Sequence, residues 1–324
     1  MTLLQCISGF IDNISVTDRQ EENIKSSLTN LEGHLTNKDN DLNVDRTFTN
    51  GSYDRDTIIR PLNDIDIFAV LNRNKWKDEN GNLPDPQSVL TKMKNYLNGL
   101  SDYKGKVNQD RPCVTVKLSD KNFDVLPSFE ELGGGYSIPY HDLKSWTYSY
   151  PEKLTTDLDN VHRQRDYKVK PTIKGVKHWN RENGKIIPSY HIEEAAINIF
   201  LINGFTNFEE SIRIWFNNAE YSLLSNKFKS NDDYNKAVNK VKKVKDKLNE
   251  AKEKYDNREE DEAIQIWKEI FGREFPTISD EEAKNYSKSL SEGSLKNTSA
   301  GALSTLTGFA ISASNGYYGD ISNK

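Results

Sequence analysis

The chain has 324 residues, of which 44 are Lys or Arg and 49 are Asp or Glu, so its formal net charge is -5; 35% of the residues are hydrophobic. That length suits about two domains, and the short apolar runs and the lack of a basic N-terminal region predict a cytoplasmic protein without a membrane span. Two cysteines and five scattered histidines offer no zinc-binding spacing, and the slight excess of acids argues against long duplex DNA as a partner.

The first half of the chain predicts a helix followed by strands. Thr17 and Gln20 resemble a capping box, and Leu and Ile then recur every three or four residues, so 1–35 is predicted as a long packed helix. From residue 45 to 129, short β-type runs alternate with turn-rich segments, and 87–100 has a helical apolar face. The predicted strands are 46–49, 65–71, 113–118 and 122–126.

Helical patterns dominate after residue 151. One predicted helix, 232–257, carries an apolar residue every three or four positions, which we interpret as a surface helix packed along one side rather than a coiled-coil partner. From Ser287 onward the chain is rich in Ser, Gly, Ala, Thr and Asn, which predicts a weakly packed tail. The other predicted helices are 169–183, 190–202, 208–228 and 261–271.

The most informative residues are two acids at the start of a predicted strand, Asp64 and Asp66. Side chains alternate along a strand, so these two point the same way while Ile65 and Ile67 point into the core. Like charges this close repel unless a cation lies between them, and divalent ions are the usual solution. Mg²⁺ is the expected ion, because its octahedral shell prefers hard oxygen ligands and substrate phosphates.

A third acid and a glycine-serine turn complete the pattern. Asp124 alternates with Phe123 and Val125 in another predicted strand, so three carboxylates on neighbouring strands would form a two-metal site. One metal would lower the pKa of an attacking hydroxyl, and the other would stabilise a leaving pyrophosphate. Gly51 lets the backbone approach a triphosphate closely, and backbone N–H groups with the Ser52 hydroxyl can bind its oxygens.

Several segments resemble the bacterial cGAS/DncV-like nucleotidyltransferases (CD-NTases), within the polymerase-beta-type nucleotidyltransferase superfamily. The resemblance extends from residue 45 to about residue 280, so it covers most of the chain. The segments that carry it are TIIRPLNDID (57–66), FDVLPSF (123–129), GYSIP (135–139) with Trp146, KGVKHWN (174–180), SYHIE (189–193) and IFGREFP (270–276).

The resemblance implies an α+β fold with a polymerase-beta-like palm, which is a mixed sheet with helices, and a C-terminal helical lobe like that of oligoadenylate synthases and poly(A) polymerases. The implied domains are the N-terminal long helix with the palm at 1–160, a helical nucleotide- and substrate-binding lobe at 161–286, and a flexible tail at 287–324. Bacterial members lack the zinc insertion of the animal enzyme, in agreement with the cysteine count.

The resemblance also implies roles for residues of the palm. Asp64, Asp66 and Asp124 match the catalytic acids that bind two Mg²⁺ ions, with Mn²⁺ as a substitute ion. Gly51 and Ser52 match the turn that contacts the triphosphate. These assignments agree with the chemistry expected from the residue types alone.

In the helical lobe, Lys177 and Ser189 match the residues that hold the donor's distal phosphates, with a solvated helix charge as the alternative for Lys177. Tyr190 matches an aromatic that stacks on a nucleobase, with a core tyrosine as the alternative. Arg60 either reaches a phosphate or braces its loop. Two histidines in these motifs are expected to pack rather than to act as bases: His178 and His191.

The implied activity is the synthesis of a cyclic di- or oligonucleotide from nucleoside triphosphates, whether ATP, GTP or pyrimidine NTPs, with release of pyrophosphate. The implied setting is bacterial anti-phage (CBASS) signalling, in which the product activates a separate effector and the C-terminus is a site for a conjugating or regulatory partner. Two alternatives stay open. One is a linear, template-independent transferase acting on RNA ends or protein hydroxyls, and the other is a catalytically silent binding scaffold.

Overall fold

The computed structural model describes residues 1–62, 64–277, 286, 288–290, 292–297, 303–305 and 309–310. Most of the predicted tail, including 311–324, lies outside the described residues. Among the helices of the described ranges, none is both long and apolar enough to cross a membrane.

The N-terminal region forms two helices, α1 (Leu3–Ile14) and α2 (Asp18–Leu35), so the prediction of one long helix is wrong. Thr17 interrupts the helix, because its backbone is extended (φ -84°, ψ 157°) while its side chain accepts a hydrogen bond from the Gln20 N–H. The Gln20 side chain in turn accepts from the Thr17 N–H at 3.1 Å. The capping box predicted at these two residues is therefore confirmed, and it is what separates the helices.

A mixed sheet of seven strands forms the palm: β1 (Val44–Asn50), β2 (Asp64–Leu71), β3 (Val107–Asp110), β4 (Cys113–Lys117), β5 (Asn122–Glu130), β6 (Tyr136–Pro139) and β7 (Trp146–Ser149). The strand order is β1-β2-β5-β4-β3, and β6 and β7 extend the sheet from the end of β5. β2 and β5 are parallel, whereas the other pairs are antiparallel. The strands that sequence analysis missed, β3, β6 and β7, are each four residues long.

Three further helices accompany the sheet: α3 (Gly51–Asp54), α4 (Arg73–Trp76) and α5 (Pro86–Gly99). The apolar faces of α2 and α5 pack on one face of the sheet and form a single hydrophobic core with it. Ile65 and Ile67 of β2 and Phe123 and Val125 of β5 point into that core. Because side chains alternate along a strand, the residues between them lie on the opposite face.

The second half is a helical lobe that contains α6 (Pro151–Gln164), α7 (Val169–Glu182), α8 (Ser189–Ile202), α9 (Phe208–Ser222), α10 (Asn231–Asp256) and α11 (Glu260–Phe271). The predicted apolar stripe of α10 is buried against neighbouring helices, and only Tyr255 at its end is exposed. α10 is therefore a surface helix packed along one side, as predicted. The buried residues of the stripe are Ala237, Val241, Val244, Leu248 and Ala251.

The apolar face of α1 packs mainly against the helical lobe. The Phe10 ring centroid lies 4.9 Å from that of Phe271 and 5.8 Å from that of Phe275. The prediction of a domain at 1–160 grouped the N-terminal helix with the palm. The observed packing differs, because the apolar face of α1 is covered by helices from the second half of the chain. The predicted boundary between 160 and 161 also falls inside α6.

The α+β fold class predicted from the sequence is confirmed by this mixed sheet and its helices. The described part of the tail adds a small three-stranded sheet, in which the order is β10-β8-β9. Its strands are β8 (Lys296–Asn297), β9 (Leu303–Ser304) and β10 (Phe309–Ala310).

Candidate active site

The three predicted acids lie on one face of neighbouring parallel strands. In the β2–β5 register, Asp66 pairs with Asp124 and Asp64 pairs with Asn122, whose side-chain amide donates a 2.8 Å hydrogen bond to Asp64. The Thr115 hydroxyl on β4 donates to Asp124 at 2.5 Å. The alternation of side chains puts all three carboxylates on the face opposite the palm core, as the sequence predicts.

Burial and mutual repulsion raise the pKa of two of these acids, Asp66 and Asp124. Burial raises the pKa of Asp66 to about 6, and the charge of Asp124 adds to the rise while Arg55 opposes it. Burial also raises the pKa of Asp124, against the lowering effect of the hydrogen bond from Thr115. A divalent cation between the carboxylates would relieve this repulsion and lower both pKa values.

The acids suit a metal that shares its coordination shell with a nucleotide. Across the described ranges, no three Asp, Glu, His or Cys side chains converge tightly enough to hold an ion by themselves. Mg²⁺ typically takes one or two protein carboxylates and completes its shell with waters and substrate phosphates. The Asp66–Asp124 pair supplies the charge and the oxygen ligands for that kind of site.

The predicted glycine-serine turn lies directly beside Asp66. Asn50, the last residue of β1, pairs with Asp66 across the sheet, and Gly51 then turns the chain with a φ of 72°. A Cβ at Gly51 would lie 1.8 Å from Asp66 Oδ2, so only glycine fits at this position. The Ser52 carbonyl accepts a 2.8 Å hydrogen bond from the Thr57 N–H, which fixes the loop that follows the turn.

A small basic pocket lies next to this turn, between the palm and the helical lobe. It brings together three residues predicted from the sequence, Ser52, Lys177 and Ser189. It is also lined by two cations that sequence analysis missed, Arg181 and Lys185. Arg181 lies one helical turn after Lys177 on α7, and that spacing is a signal that could have found it, whereas Lys185 lies beyond the end of the helix.

Lys177 reaches the pocket as part of a buried ion network, so the alternative of a solvated helix charge is wrong. Its Nζ donates to Glu193 Oε1 at 2.6 Å and to the Thr57 hydroxyl at 2.8 Å. Glu193 is fully buried and also accepts a 2.7 Å hydrogen bond from Arg55 of the palm. Burial works to raise the pKa of Glu193, but the charges of Lys177 and Arg55 outweigh it and hold that pKa below its ordinary value.

Tyr190 is 44% exposed, so the alternative of a core tyrosine is wrong. Lys227 Nζ lies 5.5 Å from the centroid of the Tyr190 ring. The ring is accessible to a nucleobase, which is what a stacking role requires.

Arg60 braces its loop. Its guanidinium donates to the carbonyl of Asp12 at 3.1 Å and also to the carbonyl of Asn13, so it ties the loop to the end of α1. The Arg60 carbonyl accepts a 2.5 Å hydrogen bond from Arg181. Arg60 does not line the basic pocket, so of its two predicted roles the structure shows the bracing contact.

The two histidines of the lobe motifs are packing residues in this structure. His178 is buried, and its Nε2 lies 3.0 Å from the carbonyl of Phe271. His191 is buried as well, and its Nε2 accepts a 2.9 Å hydrogen bond from the Leu224 N–H. Burial lowers the pKa of both imidazoles, which fits neutral side chains in a structural role.

Comparison with known proteins places this arrangement among second-messenger synthetases. Residues 1–161 match the model of the Second Messenger Oligonucleotide or Dinucleotide Synthetase (SMODS) domain. A cyclic AMP-AMP-AMP synthase of an Acinetobacter species is 26% identical, over 74% of this chain and 75% of that protein. A probable cyclic nucleotide synthase of Bacillus cereus is 24% identical, over 71% of this chain and 82% of that protein.

Solved structures show the same fold. CdnC of Escherichia coli MS115-1, solved with ATP, superposes with a TM-score of 0.68 at 15% identity, over 85% of this chain and 99% of that one. DncV of Vibrio cholerae, a cyclic AMP-GMP synthase, gives a TM-score of 0.66 at 12% identity, over 85% of this chain and 98% of that one. The chain therefore belongs to the bacterial cGAS/DncV-like nucleotidyltransferases, the family that its motifs predict.

Proposed function

We propose that this protein is a Mg²⁺-dependent nucleotidyltransferase that joins nucleoside triphosphates into a cyclic di- or oligonucleotide and releases pyrophosphate. The observation that carries the proposal is the register of β2 and β5, which sets Asp66 beside Asp124 on the face next to the Gly51 turn. The basic pocket with Ser52 lies at the same turn. The names of the Acinetobacter and Bacillus relatives support the same activity.

The palm residues would activate and align the reacting groups. Asp64, Asp66 and Asp124 would hold two Mg²⁺ ions, or Mn²⁺ in their place, which lower the pKa of the attacking ribose hydroxyl and stabilise the leaving pyrophosphate. Gly51 brings the backbone close to the site, and the Ser52 hydroxyl lies where it can bind a phosphate oxygen.

The lobe residues would hold the donor nucleotide. Lys177 is a point charge suited to a phosphate. Ser189 is the first residue of α8, so a phosphate bound beside it also meets the N–H groups of a helix N-terminus. The exposed ring of Tyr190, the next residue, would stack on a base at about 1 to 3 kcal/mol.

Product analysis tests this proposal. The protein is incubated with Mg²⁺ and a mixture of all four NTPs, treated with phosphatase and examined by mass spectrometry. We expect a phosphatase-resistant cyclic product from the wild type and no product from the variant with both Asp64→Asn and Asp66→Asn. Linear products alone, or nucleotides retained on added RNA or on protein, would indicate a linear transferase instead. NTP binding without any turnover would indicate a binding scaffold.

The family resemblance also supports a cytoplasmic role in bacterial anti-phage (CBASS) signalling, with a separate effector that the product activates. Phages should form fewer plaques on cells that carry the wild-type gene with its neighbouring genes than on cells that carry the variant with Asp64→Asn and Asp66→Asn. Equal plaque numbers would contradict this role. A conjugating partner at the C-terminus is tested by deleting 314–324, which should change partner binding in the same cells.

A further inference from the structure

Two uncharged side chains of the palm donate hydrogen bonds to two of the three acids. The Thr115 hydroxyl donates to Asp124 Oδ1 at 2.5 Å, and the Asn122 side-chain amide donates to Asp64 Oδ1 at 2.8 Å. Neither residue lies in the segments that carry the family resemblance. Each is therefore a candidate for a residue that acts on the reaction only through the acid it contacts.

The place of Thr115 is set by the antiparallel pairing of β4 with β5. Thr115 lies directly opposite Asp124, and its neighbours Val114 and Val116 are buried in the palm core. Because side chains alternate along a strand, the Thr115 side chain lies on the same face as the acids. Asp124 is thereby flanked by Asp66 on β2 and by Thr115 on β4.

Thr115 is suited to hold a carboxylate in one orientation. Its β-branched side chain restricts the χ1 angle, and the residue is 5% exposed. An O–H···O contact of 2.5 Å has the length of a charge-assisted hydrogen bond, which is about twice as strong as a neutral one. The Cys113 thiol on the same face is a second and weaker hydrogen-bond partner of Asp124. An ionised carboxylate has about four acceptor sites, so these bonds leave room for an ion.

Asn122 makes the less protected of the two contacts. It lies opposite Asp64 at the start of the β2–β5 pair, and Asp64 is exposed. Water competes for a hydrogen bond at an exposed site, so this bond holds its carboxylate less firmly than the Thr115 bond does. The third acid, Asp66, is confined differently, because it packs against Gly51.

We propose that Thr115 and, to a lesser degree, Asn122 are positioning residues that hold Asp124 and Asp64 in the orientation in which they bind divalent metal ions. Both act through the acids and are not catalytic residues. A carboxylate that is already held in place loses less side-chain entropy when an ion binds, so the protein binds the metal more tightly. The inference rests on the proposed function, in which these acids are the metal ligands.

Titration with Mn²⁺ alone, without nucleotide, tests the proposal because it measures the metal ligands and not the reaction. Electron paramagnetic resonance measures the free Mn²⁺. We expect Thr115→Val, which keeps the shape of the side chain but removes the hydroxyl, to weaken Mn²⁺ binding by about tenfold or more. Asn122→Leu should weaken it by less than about tenfold. Thr115→Ser keeps the hydroxyl and should restore most of the wild-type affinity.

Thr172→Val is the matched control. Thr172 is a fully buried residue of the helical lobe, and its hydroxyl donates to the Lys168 carbonyl at 2.8 Å and lies 2.6 Å from the Ser211 hydroxyl. Loss of that hydroxyl should lower the urea concentration at which the protein unfolds and leave the Mn²⁺ affinity unchanged. If Thr115 had only a structural role, Thr115→Val would behave in the same way.

An unchanged Mn²⁺ affinity in Thr115→Val, or a loss that Thr115→Ser does not restore, would overturn the proposal. A wild type that takes up no Mn²⁺ would overturn it too. Product analysis by mass spectrometry separates this inference from the proposed function. If the wild type makes a cyclic product while Thr115→Val keeps the wild-type Mn²⁺ affinity, only the inference fails. If the Mn²⁺ affinities follow the expected order but no cyclic product forms, only the proposed function fails.

Discussion

Gly51 and Asp66 approach so closely that a Cβ added to Gly51 would lie 1.8 Å from Asp66 Oδ2. The contact joins the turn after β1 to the carboxylate at the centre of the site. Gly51 also has a φ of 72°, a region in which residues with a Cβ are strained. Glycine is therefore required for two reasons: the turn needs its positive φ, and Asp66 occupies the space where a Cβ would lie.

Replacing Gly51 with alanine should disable the site more than it destabilises the fold. The clash must move either the turn or Asp66, and a shift of about 1 Å can cost about 100-fold in rate. Gly81→Ala is the matched control, because Gly81 has a φ of 86° with nothing within 4 Å of the added Cβ. Gly81→Ala should lose about 1 to 2 kcal/mol of unfolding free energy, and Gly51→Ala should lose at least as much because its Cβ also clashes with Asp66. Only Gly51→Ala should lose product formation in the mass-spectrometric assay, and an active Gly51→Ala variant would contradict the argument.

The placement of the acids could be predicted from the sequence because strand alternation is a local rule. Apolar Ile65 and Ile67 mark the buried face, so Asp64 and Asp66 had to share the other face. The close approach of Gly51 to Asp66 does not follow from that local pattern, because it depends on the antiparallel pairing that sets Asn50 opposite Asp66. What the sequence could not show is which oxygen the glycine faces, since that depends on how β1 pairs with β2.

The parts that sequence analysis missed depend on contacts between distant segments. Phe10 packs on Phe271, so α1 joins the helical lobe although it precedes the palm in the chain. Arg181 and Lys185 become pocket residues only because the Ser52 turn is folded against the end of α7. The break between α1 and α2 was the exception, because Thr17 and Gln20 already signal a helix start and rule out one continuous helix.

The acids should make the metal-free protein less stable. Burial, and after it repulsion from Asp124, raises the pKa of Asp66, so its ionised form is unfavourable in the fold. The variant with Asp64→Asn and Asp66→Asn should therefore unfold at the same or a higher urea concentration than the wild type in EDTA. Added Mg²⁺ should stabilise the wild type and not the variant, by linkage to binding. Asp246→Asn, at an exposed site on α10, is the control and should respond to Mg²⁺ as the wild type does.

The Glu193 network should contribute strongly to the attachment of the lobe to the palm. Glu193→Gln leaves Arg55 and Lys177 buried without their anion, and breaking a buried pair costs about 3 to 5 kcal/mol. Asp56→Asn breaks another contact between the two parts, the 2.8 Å pair with Lys174, but the Asp56 carboxylate is 69% exposed. Its loss should cost about 1 kcal/mol or less. Equal effects of the two variants in urea unfolding would contradict a special role for Glu193.

His162 should make the fold sensitive to mild acid. Burial and the nearby charge of Lys170 lower its pKa from 6.5 to about 4, and its Nδ1 accepts a hydrogen bond from the Lys170 N–H. Between these pKa values the unfolded chain binds more protons than the fold, so stability falls as the pH drops from 6.5 towards 4. The wild type should therefore lose on the order of 1 to 2 kcal/mol of unfolding free energy between pH 7 and pH 5. His162→Gln should not show that loss. Parallel stability curves for the two proteins would contradict this assignment.

Tyr190 should contribute to donor binding through its ring alone. The ring is exposed beside Ser189, and stacking on a base is worth about 1 to 3 kcal/mol. Tyr190→Ala should therefore raise the KM for the donor nucleotide by about 5- to 150-fold, while Tyr190→Phe keeps the wild-type KM because it keeps the aromatic face. Tyr221→Ala removes a tyrosine that is 79% exposed elsewhere on the lobe, and it should leave KM unchanged. If Tyr190→Phe is as impaired as Tyr190→Ala, the hydroxyl rather than the ring makes the contact, and the stacking role is wrong.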